Sequence, residues 1–199
     1  MSLKFAVNNS LSAITSLPSS ISGGALNLIS TQTASSSASI EFSIDGTYDS
    51  YVFKFINIHP ANYDVSFGFN FSIDAGSNYN VAKTTTSFRA RHKEDDSDAL
   101  LEYRTADDLA QGTGDKKLCG GIGNGNDESL SGTLTVYNPS SDTFVKHFIS
   151  NCNEYSSAVF SIQYLHAGYG NTSSPINSII FRMSSGNIDD GIIKMYGVS

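Results

Sequence analysis

The chain has 199 residues, a net charge of −7 and only 16% charged side chains, against about 25% in an average soluble domain. This length fits one β-sandwich or barrel, so we expect a single domain. The acidic balance argues against nucleic-acid binding, because such proteins need a basic face to displace counterions. No run of apolar residues approaches the length of a membrane span, so we expect no membrane partner either.

Residues 1–37 are predicted to form an extended arm in front of the folded domain. The segment Asn8–Ser37 is rich in Ser, Asn, Thr and Gly, and its apolar residues are too sparse and irregular for a helix. Such an arm needs a partner surface to hold it, and main-chain pairing with a sheet edge is the readiest source of contacts. We expect part of Leu26–Thr33 to add a strand to its own sheet or a neighbour's, and Asn8–Ser22 to contact another subunit. The alternative is that the whole arm wraps its own sandwich.

From residue 38 to residue 199 a two-residue period predicts β-strands. Ile40, Phe42 and Ile44 alternate with polar residues, as on a strand with one dry face. The segment Tyr51–Ile58 is apolar on both faces, which indicates a central strand. In Val65–Ile73 every second residue is large and apolar, so this segment is predicted to be a half-buried strand.

More short strands follow, separated by turn signals at 74–78 and 138–141. Leu100–Arg104 is one of them, although Ser97–Leu109 can instead make one short helix. This pattern predicts an all-β fold: a single β-sandwich, jelly-roll-like, with two packed antiparallel sheets. The other predicted strands are Thr84–Arg91, a strand across Leu130–Val136, Phe144–Ile149, Val159–Ala167, Ile176–Met183 and Ile192–Tyr196. The predicted core residues are Phe42, Phe53, Phe55, Phe67, Phe69, Phe71 and Ile180.

The cations and cysteines give limited information. Seven of the twelve Lys and Arg residues lie between Lys83 and Lys117, mixed with acids. We interpret this stretch as a solvated polar segment, with a salt-bridged subunit contact as the alternative. Cys119 and Cys152 are expected to be reduced and inert, because two cysteines are far below the density of a disulfide-stapled domain. The sequence leaves open whether they pair.

The Gly-rich stretch Cys119–Asp127 matches no ligand-binding motif. It lacks the Lys and Ser or Thr of a phosphate loop, and its flanks read as β rather than as the strand and helix of a dinucleotide fingerprint. It is a single copy, and Gly125 stands where a calcium β-roll needs Asp. We therefore predict a flexible loop between strands.

No enzyme activity is predicted, and no residue is assigned as catalytic, cofactor-binding or metal-binding. The acidic clusters at 94–98, 107–108, 127–128 and 189–190 are displayed as surface-loop carboxylates usually are; calcium binding by one of these loops stays open. The four histidines, His59, His92, His147 and His166, lack ligand spacing. Of these, His147 shares a strand face with Val145 and Ile149 and is predicted to be partly buried.

The chain has ten tyrosines and no tryptophan. Exposed Tyr among Ser and Asn is typical of adaptable binding surfaces, including sugar sites. Against a sugar site, the Trp platform that sugar rings usually stack on is absent. Packing in the core and rim of the sandwich is the other interpretation. The tyrosines in or beside loops and strand ends are Tyr48, Tyr51, Tyr63, Tyr79, Tyr103, Tyr155, Tyr164 and Tyr169.

Several strings of this sequence resemble a group of small structural proteins of tailed bacteriophages, closest to those of marine phages and cyanophages. The resemblance spans nearly the whole chain. Its most specific piece is the ending with Ile193-Lys194-Met195-Tyr196-Gly197, a type shared by several phage fibre and decoration proteins. The strings that carry it are Ser12–Pro18, Tyr51–Pro60, Gly76–Asn80, Asn138–Ser141 and Ser185–Gly197.

The resemblance implies a non-enzymatic virion protein displayed on the particle surface, as a head decoration or cement protein or a tail-associated appendage. The alternative is a carbohydrate-binding module of a tail fibre that recognises a host-surface glycan. The expected partners are other capsid or tail proteins and further copies of the chain, with a trimer as the first expectation. Assembly in the host cytoplasm agrees with Met1–Phe5, which has neither the basic nor the apolar region of a secretory signal.

Overall fold

The computed structural model describes residues 26–199, which form twelve β-strands and one short 3-10 turn at Thr105–Asp107. No α-helix occurs within these residues. The strands, in chain order, are β1 (Asn27–Thr33), β2 (Ile40–Ser43), β3 (Ser50–Pro60), β4 (Val65–Ser72), β5 (Lys83–Lys93), β6 (Ala99–Tyr103), β7 (Lys116–Ile122), β8 (Leu130–Tyr137), β9 (Lys146–Tyr155), β10 (Phe160–Gly170), β11 (Ser178–Met183) and β12 (Ile188–Val198).

The strands form two antiparallel sheets of unequal width. The larger sheet has eight strands in the order β1-β12-β3-β8-β9-β10-β5-β6, and the smaller has four in the order β2-β11-β4-β7. The predicted all-β sandwich with two packed antiparallel sheets is therefore confirmed. Because the smaller sheet is half as wide, it cannot cover the whole inner face of the larger one. We call β9, β10, β5 and β6 the extension.

Phenylalanine rings fill the space between the two sheets. The side chain of Phe181 on β11 lies at their centre, with ring centroids 5.2–6.4 Å from those of five other phenylalanines. Alternation explains this packing, because every second residue of β3 and β4 points inward. All seven predicted core residues are buried, as predicted: Phe42, Phe53, Phe55, Phe67, Phe69, Phe71 and Ile180.

Most predicted strands are confirmed, with ends shifted by a few residues. Ala99–Tyr103 is a strand, so the alternative of one helix across Ser97–Leu109 is wrong. The first half of the Gly-rich stretch is also not a loop: it is the end of β7, which pairs with β4. The prediction failed there because Gly120 and Gly121 interrupt the apolar pattern that marks a strand.

The described part of the arm belongs to the larger sheet. Strand β1 pairs with β12, Thr31 lying opposite Lys194, so the predicted strand within Leu26–Thr33 is confirmed and lies in its own sheet. The predicted subunit contact of Asn8–Ser22 lies outside the described residues.

Candidate functional site

The outer face of the larger sheet is the first candidate site, because it carries no formal charge over five adjacent strands. From β8 through the extension, the outward side chains include no Lys, Arg, Asp or Glu. The strand register places these side chains in rows across the sheet. The central row consists of Thr133, Asn151, Leu165, Phe88 and Tyr103. We call this surface the outer face.

Apolar side chains on the outer face are open to solvent. Leu101 is 76% exposed, and Leu165, Phe88 and Ile149 are each almost half exposed. Phe88 packs edge-on against Tyr103 with ring centroids 5.3 Å apart. The remaining positions carry Thr, Asn, Gln and Ser, so the surface combines apolar area with short hydrogen-bonding groups and suits contact with another molecule.

The inner face of the extension is polar, and it is the second candidate site. Lys83 on β5 and Lys116 on β7 are fully buried. The Lys116 ammonium donates to the carbonyl oxygen of Asp107 at 2.6 Å, and the Lys83 ammonium donates to the carbonyl oxygen of Val81 at 2.7 Å. Burial lowers the pKa of each lysine to about 8. The prediction of a solvated polar segment is therefore wrong for these two lysines.

His166 is the buried histidine of the structure. Its Nε2 lies 3.1 Å from the carbonyl oxygen of Leu118, which only accepts, so Nε2 carries the proton. The Ser87 hydroxyl, 2.9 Å away, then donates to Nδ1. Burial, and then the nearby Lys116 charge, lowers the pKa of His166 to about 3, so the ring is neutral.

Glu154 lies between the strands beside the two cysteines. Neither of its buried carboxyl oxygens has a hydrogen-bond partner of good geometry within residues 26–199. The thiol of Cys119 and the backbone N–H of Gly120 are its polar neighbours, and burial raises the pKa of Glu154 to about 8. Cys119 and Cys152 are free, buried and adjacent. Burial also raises the pKa of Cys119, which agrees with the expected inert thiols.

Several other residues that the sequence analysis named differ in burial from what was expected. The prediction that His147 is partly buried is wrong: it is exposed on the outer face, because β9 points Lys146 and Phe148 inward. Tyr51 and Tyr164 are buried, so they cannot contribute to a surface for sugars. Within residues 26–199 no three His, Cys, Asp or Glu side chains gather in a way that could hold a metal ion.

Sequence reasoning missed both sites for one reason. Apolar alternation shows which face of a strand is dry, but β9 and β10 place Lys146, Glu154 and His166 inward and Ile149 and Leu165 outward. One sequence signal could have indicated the polar interior: in β9, Asn151 and Asn153 on one face alternate with Cys152 and Glu154 on the other.

Comparison of the chain with family models, with curated proteins and with solved structures finds no match in any of the three. Among residues 26–199, no helix is long and apolar enough to cross a bilayer.

Proposed function

We propose that this chain is a non-enzymatic structural protein displayed on the surface of a tailed-phage virion, as a head decoration or cement protein or a tail-associated appendage. In this role it associates with further copies of itself through the outer face. The virion context rests on the sequence resemblance. The uncharged outer face is the observation that supports self-association.

Charge explains why this face suits a second copy. Two chains of net charge −7 repel each other, and like charges brought together at an interface cost several kcal/mol. The outer face avoids this cost, because the only titratable side chains that its five strands present are those of His92 and His147 and the phenols of its tyrosines. A surface free of formal charge can meet its own copy without leaving a charge desolvated.

The size of the outer face also suits an interface between subunits. Five strands about 4.8 Å apart, with rows about 6.8 Å apart along each strand, give a flat area of roughly 20 Å by 27 Å. This flat area of roughly 540 Å² is of the same order as the ~800 Å² that each partner contributes to a standard interface.

The strand order supports a jelly roll with two added hairpins. Eight strands remain when the extension is set aside: β1, β2, β3, β4, β7, β8, β11 and β12. Numbered 1–8 in chain order, they lie as 1-8-3-6 in the larger sheet and 2-7-4-5 in the smaller. This order supports the proposal of a jelly roll, an architecture that capsid domains use. The extension then widens the larger sheet and supplies most of the outer face.

A charge placed on the outer face tests self-association. We expect light scattering to show an oligomer for the wild-type protein and a smaller mass for Leu165→Asp and Leu101→Asp. The matched control is Phe144→Asp, because Phe144 is 69% exposed but lies in a loop outside the outer face. A monomeric wild-type protein, or an unchanged mass for both outer-face variants, would contradict the proposal.

Copy number per particle tests the virion context and separates the two placements. A quantitative gel or cryo-EM of whole particles is expected to show hundreds of copies for a head decoration protein and tens at most for a tail appendage. Absence of the chain from purified particles would refute the virion context while leaving self-association to the mass measurement.

A carbohydrate-binding module is the second candidate, and the amide rows of the outer face favour it. Asn151 and Asn153 on β9 and Gln163 on β10 present amide groups on the same face as the exposed rings of Phe88 and Tyr103, a combination that suits sugar hydroxyls. Binding on a glycan array that is lost in Asn151→Ala and Tyr103→Ala, in a protein that stays monomeric, would favour this candidate over self-association.

A further inference from the structure

A cleft of about 360 Å³ opens beside the polar interior of the extension, on the side away from the outer face. Its lining contains four cationic side chains and a single carboxylate, that of Asp64. This volume lies at the small end of the range for ligand sites. The four cations are Arg89, Arg91, Arg104 and Lys117.

Arg91 has donors to spare for a ligand. Its guanidinium carries five N–H groups, and Nη2 donates to Asp98 at 2.8 Å. Its Nε is buried and has no partner within the described residues. The guanidinium lies 5.4 Å from the ring centroid of Phe160, which positions the planar group at the wall of the cleft.

Lys117 and Arg104 share one carboxylate. The Lys117 ammonium donates to Asp107 at 2.8 Å, and the Arg104 Nε donates to the same carboxylate at 3.4 Å. Burial raises the pKa of Asp107, but the ion pairs with Lys117 and Arg104 bring it below its ordinary value, so Asp107 is ionised. Glu102 pairs with Arg89 and lies 3.7 Å from Nη1 of Arg104, so each cation of the cleft has a carboxylate partner. What these cations offer a ligand is therefore their remaining N–H groups.

The wall behind the cations adds no further negative charge. Glu154 lies behind the cleft and holds its proton at pH 7, because burial raises its pKa to about 8. The Tyr164 hydroxyl donates to the carbonyl oxygen of Gly120 at 2.8 Å and fixes that part of the wall. The end of the Lys117 side chain lies over Gly120, in the space that a Cβ there would take.

We propose that this cleft binds a compact oxyanion, the carboxylate or phosphate group of a small ligand or of an acidic saccharide unit, through Arg91 and Lys117. The spare donors of Arg91 match the geometry of a carboxylate or phosphate, and Lys117 adds a point charge. This site is separate from the proposed assembly role, because the cleft lies on the opposite side of the sheet from the outer face.

Titration with simple anions tests the proposal. Calorimetry at constant ionic strength compares sodium phosphate, sodium glucuronate and neutral glucose as ligands. We expect saturable binding of phosphate, glucuronate or both with Kd below about 10 mM, and no binding of glucose. Binding of phosphate alone identifies a phosphate group as the ligand, and binding of glucuronate alone identifies an acidic sugar.

Matched variants locate the binding in the cleft. Arg91→Gln is expected to weaken binding at least about tenfold, whereas Lys54→Gln, which removes one positive charge from the outer side of β3, leaves it unchanged. Arg91→Lys keeps the positive charge but loses the paired N–H donors of the guanidinium. Its affinity for the anion is expected to lie between those of the wild type and Arg91→Gln. If Arg91→Gln lowers the melting temperature, Lys117→Gln is used as the cleft variant instead. Absence of binding by both anions, equal binding of glucose, or equal losses in the cleft variants and Lys54→Gln would overturn the proposal.

Discussion

The interior of this protein has two halves that share the same backbone alternation but hold different chemistry. Between β3 and the smaller sheet, the inward side chains are phenylalanines such as Phe53, Phe55 and Phe67. Under the extension, the inward side chains include Lys83 and Glu154, also almost fully buried.

The difference follows from what covers each half. Strands β2, β11 and β4 of the smaller sheet offer a continuous apolar face, whereas its edge strand β7 and the irregular segment 104–115 cover much of the inner face of the extension. An irregular segment has backbone carbonyls that no strand partner satisfies. A buried ammonium satisfies one of these carbonyls, because Lys116 donates to Asp107. Lys146 likewise donates to the carbonyl of Phe144, in the loop before β9. The polar half thus holds the irregular segment 104–115 in place by hydrogen bonds, while apolar packing in the other half holds the two sheets together.

The largest expected loss of stability comes from a cavity in the apolar half of the interior. Phe181→Ala removes the ring that contacts five others, so we expect the free energy of unfolding to fall by about 3–5 kcal/mol. Chemical denaturation followed by circular dichroism measures this loss. A fall below about 1 kcal/mol would show that the two sheets are not held chiefly by this cluster.

The polar half is expected to respond to pH instead. Glu154 faces Cys119 and Lys117 from β7, Arg89 from β5 and Tyr164 from β10. Its pKa of about 8 in the folded chain exceeds its ordinary value of 4.5, so between these values the folded state holds a proton that the unfolded state has lost. Stability therefore falls as the pH rises from about 4.5 to 8.

Glu154→Gln removes this titration while keeping the shape of the side chain. We expect the variant to match the wild type near pH 5 and to be more stable by about 2–4 kcal/mol near pH 8. Melting temperatures between pH 5 and pH 8 test this, with Glu102→Gln as the control in a partly exposed ion pair. Parallel pH profiles for wild type and Glu154→Gln would show that Glu154 is ionised in the folded chain.

A smaller loss of stability is expected when the irregular segment 104–115 loses its hydrogen bond to Lys116. Lys116→Met leaves the carbonyl of Asp107 without its donor, which costs about 1–3 kcal/mol, although removal of a buried charge offsets part of this cost. Hydrogen exchange is expected to speed up at Leu109, whose N–H donates to the Thr85 hydroxyl at 2.9 Å. Lys93→Met, which changes a partly exposed lysine at the end of β5, is the control. Unchanged exchange at Leu109 would contradict the fastening role.

The apolar half could be predicted from the sequence, because its inward residues are large and apolar. The strict alternation across Val65–Ile73 identified β4, and all of the predicted core phenylalanines are buried. A strand within Leu26–Thr33 was also predicted, because main-chain hydrogen bonds need no particular side chains; its pairing with β12 was not.

The polar half could not be predicted, because burial of Lys, Glu and His depends on partners distant in sequence. Nothing near Lys116 indicates that its ammonium reaches a carbonyl nine residues away across a turn. The same pattern hid the outer face: Leu165 looks like a core residue on a strand whose true inward residues are Tyr164 and His166.

The smallest change in the free energy of unfolding is expected from a substitution on the outer face. A small change would distinguish this face from both halves of the interior. Leu165 is 46% exposed, and Leu165→Thr keeps a residue that favours strands, so we expect unfolding of the protein at low concentration to change by no more than about 0.5 kcal/mol. The neighbouring substitution Ile162→Thr, on the inner face of the same strand, is expected to cost more, because Ile162 is 5% exposed and threonine brings a hydroxyl into its place. Denaturation of both variants across a range of protein concentrations also separates folding from assembly. If Leu165 contributes only to assembly, its effect grows with concentration, because subunit association stabilises the folded chain by mass action. If Leu165→Thr costs as much as Ile162→Thr at the lowest concentration, the side chain belongs to the core of the folded domain and the outer face is not an interface.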